Sequence, residues 1–204
     1  MRPRVPAAIF FDVMDTLVRD PFHHEMPAFF GMTRAELIRV KHPTAWVDFE
    51  LGRIDEPAFL SLFLPGRAWD RAGFCDHVRA SYEWLPGMEA LLADLRAAAK
   101  ETRLCALSNY PPWYRWIDER CGLSRYLDAA FVSYETGVRK PAPEAYLLPC
   151  RRLGIAPGEA LFVDDRGDNC EAARAVGMDA IVFRDAGALR EALARRGVLI
   201  RTPV

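Results

Sequence analysis

Two aspartates follow the first apolar run of the sequence, and their types and spacing could support metal-assisted chemistry. The run 8–11 contains four apolar residues, which is typical of a short strand buried on both faces. Asp12 and Asp15 come directly after it, in the segment Asp12-Val13-Met14-Asp15-Thr16-Leu17. Because ligands bind at the carboxyl ends of parallel strands, we expect Asp12 to lie in a binding crevice. Taken alone, the two acids could equally be solvated turn residues.

Three further groups of polar residues stand next to predicted strands or helices. They are Ser108-Asn109 after the apolar run 104–107, Arg139-Lys140-Pro141 before a helix, and Asp164-Asp165 after the run 161–163, with Asn169 nearby. Each group alone has an ordinary explanation, as a helix cap, a solvated loop cation or a charged turn. Because the carboxyl ends of parallel strands meet at one edge of a sheet, the four groups together predict a single functional site.

The residue types in these groups suit phosphoryl transfer. Asp12 and Asp165 could hold one Mg²⁺, which prefers a few carboxylates together with water and phosphate oxygens. An anionic nucleophile that attacks a phosphate dianion needs nearby positive charge, which a metal ion and Lys140 would supply. Ser108 offers a hydroxyl donor to a phosphoryl oxygen. Asp12 is then the predicted nucleophile, through an aspartyl-phosphate intermediate.

Length and composition narrow the class of protein. The chain has 204 residues, of which 51% are hydrophobic, so a large core is available and disorder is not expected. A net charge of −1 argues against nucleic acid as a partner, and no apolar run reaches the length of a membrane helix. The five cysteines form no C-x-x-C pair, which favours reduced thiols. We expect a cytoplasmic enzyme without a targeting peptide, acting on a small molecule, and we predict no protein partner.

Strand and helix patterns alternate through most of the chain and predict an α/β fold. The expected architecture is Rossmann-like, with three layers: a parallel sheet covered by helices on both faces. Residues 20–87 break the alternation, because they are rich in aromatic side chains and show only helical patterns. Thr33-Arg34-Ala35-Glu36 is a capping box that predicts the start of a short helix, and another helix is predicted from Asp70 to Trp84. We therefore predict a catalytic core formed by residues 1–19 and 88–204. Residues 20–87 are the predicted all-helical cap, inserted after the first strand over the edge where Asp12 emerges.

The four polar groups, in this order and spacing, resemble the motifs of the haloacid dehalogenase (HAD) superfamily. The first motif corresponds to residues 12–17, the second to Ser108, the third to Lys140 and the fourth to Asp164-Asp165 with Asn169. The resemblance implies a HAD-type core with a helical cap and a Mg²⁺-dependent phosphoric monoester hydrolase. It also implies that the main-chain carbonyl of Met14 binds the metal. The predicted metal ligands are therefore Asp12, Met14, Asp164 and Asp165, and the predicted catalytic residues are Asp12, Asp15, Ser108 and Lys140.

Within the superfamily, the chain is similar to a narrower group, the flavin mononucleotide (FMN) hydrolases of plant chloroplasts and their bacterial relatives. The segments that carry this similarity are DPFHHEMPAFFGM, KHPTAW, FELGRIDE, SNYPPWY and RKPAPEAY. The similarity implies hydrolysis of FMN to riboflavin and phosphate. The predicted substrate-binding residues are Ser108, Asn109, Lys140, Trp46 and Tyr110. Phe29 and Phe30 are further candidates for contact with the flavin ring, although aromatic side chains in a small helical insert more often form its core.

The first motif departs from the pattern of most phosphatases in the superfamily. These enzymes carry a second aspartate two residues after the nucleophile, which protonates the leaving alcohol, whereas this chain has Met14 there. Methionine donates no proton, and general acid catalysis is worth about 10²–10⁴ in rate. Asp15 is one candidate for the missing acid, and a cap residue such as His23 or His24 is another. Water could also supply the proton, or turnover could be slow. Asp15 could also be only a turn or helix cap.

The same departure leaves other functions open. A phosphatase for another small metabolite, such as a sugar phosphate or a nucleotide, is the nearest alternative to an FMN hydrolase. Two weaker alternatives are a 2-haloacid dehalogenase, which also lacks the second aspartate, and a non-catalytic module that binds a phosphorylated ligand. The retained acid pair Asp164-Asp165 argues against the dehalogenase, because that activity needs no metal.

Overall fold

Five parallel strands form a single sheet in the computed structural model, which describes residues 5–198. The strands are β1 (Ala8–Phe11), β2 (Arg103–Ser108), β3 (Ala129–Val132), β4 (Ala160–Asp164) and β5 (Asp179–Val182). Their order in the sheet is β3-β2-β1-β4-β5, and every neighbouring pair is parallel. Phe10 of β1 lies opposite Cys105 of β2 and Phe162 of β4. The first strand is thus central, which explains its uninterrupted apolar sequence.

Eleven α-helices surround the sheet in the described residues, five of them before β2 in the predicted cap. Those five are α1 (Glu25–Phe29), α2 (Arg34–Val40), α3 (Ala45–Glu50), α4 (Glu56–Leu62) and α5 (Arg71–Ser81). The others are α6 (Met88–Ala98), α7 (Tyr114–Cys121), α8 (Ser133–Thr136), α9 (Pro143–Leu153), α10 (Gly167–Ala175) and α11 (Ala186–Arg195). No helix among residues 5–198 is long and apolar enough to cross a membrane.

Side chains of the central strand alternate between two hydrophobic clusters, so both faces of the sheet are covered. Ile9 and Phe11 belong to a cluster that contains the apolar sides of α6, α7 and α11. Phe10 belongs to the other cluster, with Tyr146 of α9 and Cys170 of α10. This arrangement confirms the predicted three-layer α/β core.

The segment 20–87 contains no strand of the sheet, in agreement with the helical patterns in its sequence. Its aromatic core is continuous with the cluster on one face of the sheet. Phe49 stacks on Phe59 with ring centroids 4.7 Å apart, and Trp113, the N-cap residue of α7, packs edge-on against both. The limits of the core and cap stay a prediction, and residues 1–4 and 199–204 of that division lie outside the described residues.

Local sequence signals set several helix ends. Thr33 and Glu36 form the capping box expected before α2, because the Thr33 hydroxyl accepts from the Glu36 N–H and the Glu36 carboxylate accepts from the Thr33 N–H. A proline stands in the first turn of α9, where its missing N–H has no partner to lose. The helix expected from Asp70 to Trp84 is shorter, since α5 ends at Ser81. Trp84 instead pairs with Val18 in an isolated bridge.

Candidate active site

A cavity of about 530 Å³ opens where the carboxyl ends of β1 and β4 meet residues of the helical segment. This volume lies within the range of about 300–1,000 Å³ that is usual for small-molecule sites. Among the predicted site residues, the cavity is lined by Asp12, Met14, Asp15, Trp46, Asn109, Tyr110, Lys140 and Asp165. The structure thus brings the first, third and fourth sequence motifs to one place, as the order of the strands predicts.

Lys140 occupies the centre of the charged groups. Its Nζ lies 2.8 Å from Asp12 Oδ1 and 2.7 Å from Asp164 Oδ2. All three side chains are buried, with exposed fractions of 1% for Lys140, 11% for Asp12 and 0% for Asp164. The two carboxylates raise the pKa of Lys140 against the opposing effect of its burial, so the ammonium stays charged. The predicted fixed positive charge is therefore placed directly beside the predicted nucleophile.

The carboxylate of Asp164 is fully engaged by the protein. Besides Lys140, it accepts hydrogen bonds from the main-chain N–H of Arg166 at 2.9 Å and from the side-chain amide of Asn169 at 3.0 and 3.1 Å. Asn169 thus supports Asp164, as its position in the fourth motif implies. These bonds make Asp164 the residue that holds Lys140 in place, and its role as a metal ligand stays a prediction.

Asn109 holds the main chain of Lys140 through two hydrogen bonds. Its Oδ1 accepts from the Lys140 N–H at 2.8 Å, and its Nδ2 donates to the Lys140 carbonyl at 2.9 Å. The residue directly after β2 therefore fixes the loop that carries the lysine. Because both ends of the amide are occupied, the structure gives Asn109 a positioning role, and direct contact with substrate stays a prediction.

Three carboxylates are close enough together to hold a cation. Single oxygens of Asp12, Asp164 and Asp165 lie within 4.8 Å of one another. Burial raises the pKa of Asp12, and burial together with the nearby charge of Asp164 raises the pKa of Asp165 to about 6. Concentrated buried negative charge of this kind favours a bound cation, and an all-oxygen donor set suits a hard ion such as Mg²⁺. Asp164 also accepts hydrogen bonds from Arg166 and Asn169 and does not line the cavity, whereas Asp12 and Asp165 do, so these two side chains are best placed for that ion.

Thr16 ties the first and fourth motifs together, a contact that the sequence patterns did not reveal. Its side-chain oxygen, in the turn after β1, accepts a hydrogen bond from the Asp165 N–H at 3.1 Å. Thr16 is completely buried. The bond fixes the main chain of Asp165 relative to the Asp12 turn. Sequence spacing gives no signal for it, because the two residues meet only when β1 and β4 pair.

Ser108 ends β2 with a buried hydroxyl that has no hydrogen-bond partner among the described residues. Its residue exposure is 2%, and it is not among the residues that line the cavity. A buried hydroxyl without a partner costs about 1–3 kcal/mol, so such groups are usually completed by a ligand or water. This observation is compatible with the predicted donation to a phosphoryl oxygen.

Asp15 and His23 form a pair at the cavity wall. His23 Nε2 lies 2.8 Å from Asp15 Oδ2, and the other Asp15 oxygen accepts from the Asp20 N–H at 3.0 Å. Asp15 has a φ of +53°, the only positive φ of a non-glycine residue in the described chain. This left-handed turn points the chain after β1 towards the segment that contains His23. His24 is exposed and is not a lining residue.

A second charged pair, Glu50 and Arg139, lines the same cavity. Arg139 Nε lies 2.6 Å from Glu50 Oε1, and the Glu50 side chain is only 3% exposed. Burial raises the pKa of Glu50 to about 7, although Arg139 and the Trp46 side chain oppose the shift. The sequence motif included Arg139 but gave no sign of its partner. Glu50 reads as an ordinary solvated residue at the end of a helix, because the contact joins two distant parts of the chain.

Aromatic side chains form another part of the cavity wall. Trp46 packs edge-on against Tyr110 with ring centroids 5.8 Å apart, and both residues line the cavity. The Tyr110 hydroxyl is bound to that of Tyr82 at 2.8 Å. The suggestion that Phe29 and Phe30 contact a ligand ring is not supported, because neither lines the cavity and both pack in the aromatic core of the helical segment.

Comparison with known proteins gives the same family over most of the chain. A family model described as haloacid dehalogenase-like hydrolase matches residues 6–177. The chain is 41% identical over 203 residues to flavin mononucleotide hydrolase 1, chloroplastic, of Arabidopsis thaliana, an alignment that covers 99% of this chain and 82% of that protein. The similarity therefore includes the helical segment as well as the sheet.

Solved structures share the fold at low sequence identity. A HAD family enzyme of Bacteroides thetaiotaomicron, in complex with magnesium and inorganic phosphate, is 19% identical with a TM-score of 0.70, covering 88% of this chain and 95% of that one. L-2-haloacid dehalogenase of Xanthobacter autotrophicus is 20% identical with a TM-score of 0.65, covering 97% and 90%. Because the fold is similar to that of both proteins, it does not by itself distinguish a phosphatase from a dehalogenase.

Proposed function

This chain belongs to the haloacid dehalogenase-like hydrolase family, and from that starting point we propose that it is a Mg²⁺-dependent phosphatase that hydrolyses FMN to riboflavin and phosphate. One observation carries the choice of phosphate chemistry. The buried ammonium of Lys140 contacts both Asp12 and Asp164, while the carboxylate of Asp165 remains at the cavity wall. The ammonium of Lys140 suits a phosphate anion, and the carboxylate of Asp165 suits a metal cation beside it.

In the proposed reaction, a carboxylate oxygen of Asp12 attacks phosphorus and the bond from phosphorus to the ester oxygen breaks. The product of this step is an aspartyl phosphate on Asp12 and a free alcohol. Lys140 neutralises charge on the phosphoryl oxygens, and the hydroxyl of Ser108 donates to one of them. Asp12, Asp165 and the main-chain carbonyl of Met14 would hold Mg²⁺, which would supply further positive charge beside the phosphoryl group. Water then hydrolyses the acyl phosphate and regenerates Asp12.

The leaving alcohol needs a proton, which Met14 cannot supply. The Asp15–His23 pair is the proposed source, because both side chains line the cavity and are 2.8 Å apart. Asp15 stands one residue beyond the usual position of the acid in the sequence and lines the cavity, which supports this proposal. His24 is not part of this proposal.

FMN is favoured over other phosphomonoesters by the relative of Arabidopsis thaliana, whose name states that activity, and by the aromatic part of the cavity. Trp46 and Tyr110 are the proposed contacts for the isoalloxazine ring. The alternative is a phosphatase for a sugar phosphate or a nucleotide. The expected location in the cytoplasm stays a prediction, and the relative's name places that protein in the chloroplast.

A phosphate-release screen tests the proposal most directly. The purified chain is assayed with and without Mg²⁺ on FMN, sugar phosphates, nucleotides and 2-chloropropionate, and Asp12→Asn serves as the nucleophile variant. We expect Mg²⁺-dependent phosphate release with FMN as the best substrate, and none from the variant. Metal-independent chloride release would instead identify a dehalogenase. FMN binding without turnover of any compound would identify a binding module.

A further inference from the structure

The ion pair of the buried Glu50 and the half-exposed Arg139 has no part in the phosphoryl chemistry, although it lines the same cavity. Such a pair contributes little to stability, since the cost of removing the carboxylate from water offsets its attraction to the guanidinium. The contact with Glu50 is an ion pair, and within residues 5–198 no acceptor takes a hydrogen bond from the Arg139 side chain, which is 39% exposed. Donors are therefore free for a ligand.

The position of the pair is set rigidly from both sides of the cavity. Glu50 is the last residue of α3, and its main-chain carbonyl accepts a hydrogen bond from the Ser133 hydroxyl of α8. Gly52 follows with a φ of +67°, so close to α8 that a β-carbon would lie 2.6 Å from the Tyr134 carbonyl oxygen. These contacts fix Glu50 against the loop that carries Arg139.

Glu50 and Arg139 share a cavity with Lys140, the predicted phosphate-binding residue. Arg139 also directly precedes Lys140 in the chain. A substrate whose phosphate lies on Lys140 can therefore place the next few atoms of its alcohol beside Glu50 and Arg139. In FMN and in sugar phosphates, those atoms carry hydroxyl groups.

The chemistry of the pair matches such hydroxyl groups. A carboxylate has about four acceptor positions, so Glu50 can bind Arg139 and still accept from two hydroxyls. The guanidinium presents its remaining N–H groups to hydroxyl oxygens. We propose that Glu50 and Arg139 bind the polyol chain next to the phosphate and select hydroxylated phosphomonoesters. This inference rests on the proposed phosphatase function. It assigns a binding site to the polyol chain, whereas the aromatic wall of the cavity is the proposed contact for the ring.

The test compares ligands that differ in the polyol. Glu50→Gln is assayed on ribose 5-phosphate and on p-nitrophenyl phosphate, which has no hydroxyl groups. Binding of riboflavin and of lumiflavin, which has the same ring with a methyl group in place of the ribityl chain, is measured by fluorescence. Asp48→Asn is the matched control, because Asp48 lies on the same helix and pairs with Arg53 outside the cavity lining. Thermal melting shows that each variant is folded.

We expect the ratio of kcat/KM for ribose 5-phosphate to that for p-nitrophenyl phosphate to fall about 10-fold to 100-fold in Glu50→Gln, the range for a hydrogen bond to a charged group. Riboflavin binding should weaken by a similar factor relative to lumiflavin. Arg139→Gln, at a half-exposed position, should shift both ratios in the same direction even if Glu50→Gln does not fold. The control should leave both ratios as in the wild type.

Two results would overturn the proposal. Equal weakening of riboflavin binding and lumiflavin binding would show that Glu50 and Arg139 contact the ring and not the polyol. If a folded variant keeps the wild-type kcat/KM ratio and the wild-type ratio of riboflavin to lumiflavin binding, the ion pair has only a structural role. The failure of the proposed function looks different. If the wild type hydrolyses ribose 5-phosphate and not FMN, the flavin assignment is wrong, while the ratio on ribose 5-phosphate still decides the role of the pair.

Discussion

Replacing Lys140 by methionine tests whether the buried charges of the site depend on one another. The substitution keeps an unbranched side chain of similar length and removes the ammonium. Asp12 and Asp164 then face each other without the cation that now lies 2.8 and 2.7 Å from their oxygens. The ammonium also lies 5.1 Å from the centroid of the Phe162 ring, a smaller favourable contact that is lost as well.

The expected cost follows from the burial of the three groups. Removing one partner of a buried ion pair destabilises a protein by about 3–5 kcal/mol, because the other charge is left buried and unpaired. Both carboxylates here are almost completely buried, so we expect a loss in that range at about pH 8. For a chain of this size, the loss corresponds to a decrease in Tm of about 6–20 °C.

The loss should depend on pH in a defined direction. Burial raises the pKa of Asp12 above its value in the unfolded chain, and removal of Lys140 raises it further. A raised folded-state pKa means that stability present at low pH is lost as the pH increases through that pKa. The variant should therefore be closer to the wild type at about pH 5.5, where the Asp12 carboxyl group takes up a proton, than at about pH 8.

Thermal melting of both proteins in EDTA at the two pH values provides the measurement, with the exposed Lys100→Met as a matched control. Addition of Mg²⁺ should restore part of the stability of Lys140→Met at the higher pH, since a bound cation stabilises the folded state. Phosphate release should be lost under every condition. A decrease of less than about 1 kcal/mol, or an equal decrease at both pH values, would refute the assignment of the cost to unpaired buried charge.

Three other substitutions give separate checks. Ser108→Ala should leave the free energy of unfolding unchanged or slightly higher, because the hydroxyl has no partner to lose, while inhibition by inorganic phosphate weakens about 10-fold or more. Asn109→Leu removes both hydrogen bonds to the main chain of Lys140; kcat should fall more than KM rises, and urea unfolding should show a loss of about 1–3 kcal/mol. Gly52→Ala should destabilise more than Gly66→Ala in urea unfolding, because both glycines have positive φ but only at Gly52 does the new β-carbon meet a main-chain oxygen of α8, at 2.6 Å.

Much of the fold could be predicted from local sequence. The apolar run 8–11 and the similar run after residue 159 form the central strands, because only residues buried on both faces tolerate such composition. The capping box at Thr33 and Glu36 gave the start of α2 for an equally local reason. Helix ends that depend on tertiary packing were less predictable, as the end of α5 at Ser81 illustrates.

The sequence by itself also determined which polar residues gather at the site. Asp12, Asn109 and Asp165 each follow a strand directly, and parallel strands bring their carboxyl ends to one edge whatever the details of packing. This is why order and spacing could predict which residues lie together as the proposed nucleophile, the fixed positive charge and the acidic pair. Phe29 and Phe30 could be named only as candidates beside their more frequent role in the core, because composition does not tell which aromatic residues face a cavity; in the structure they pack in the core.

Only the tertiary structure decided how these residues are paired. Asp164 forms an ion pair with Lys140, and Asn109 forms hydrogen bonds with the main chain of that lysine. Glu50 forms an ion pair with Arg139 in the cavity wall. Each of these contacts joins segments that are distant in the chain, and their geometry depends on strand order and on where the helical segment lies against the sheet. Periodicity and spacing carry no information about such pairs. The physical reason is that ion pairs between distant segments form only when the chain folds, whereas a strand or a helix cap is determined by residues that are adjacent in sequence.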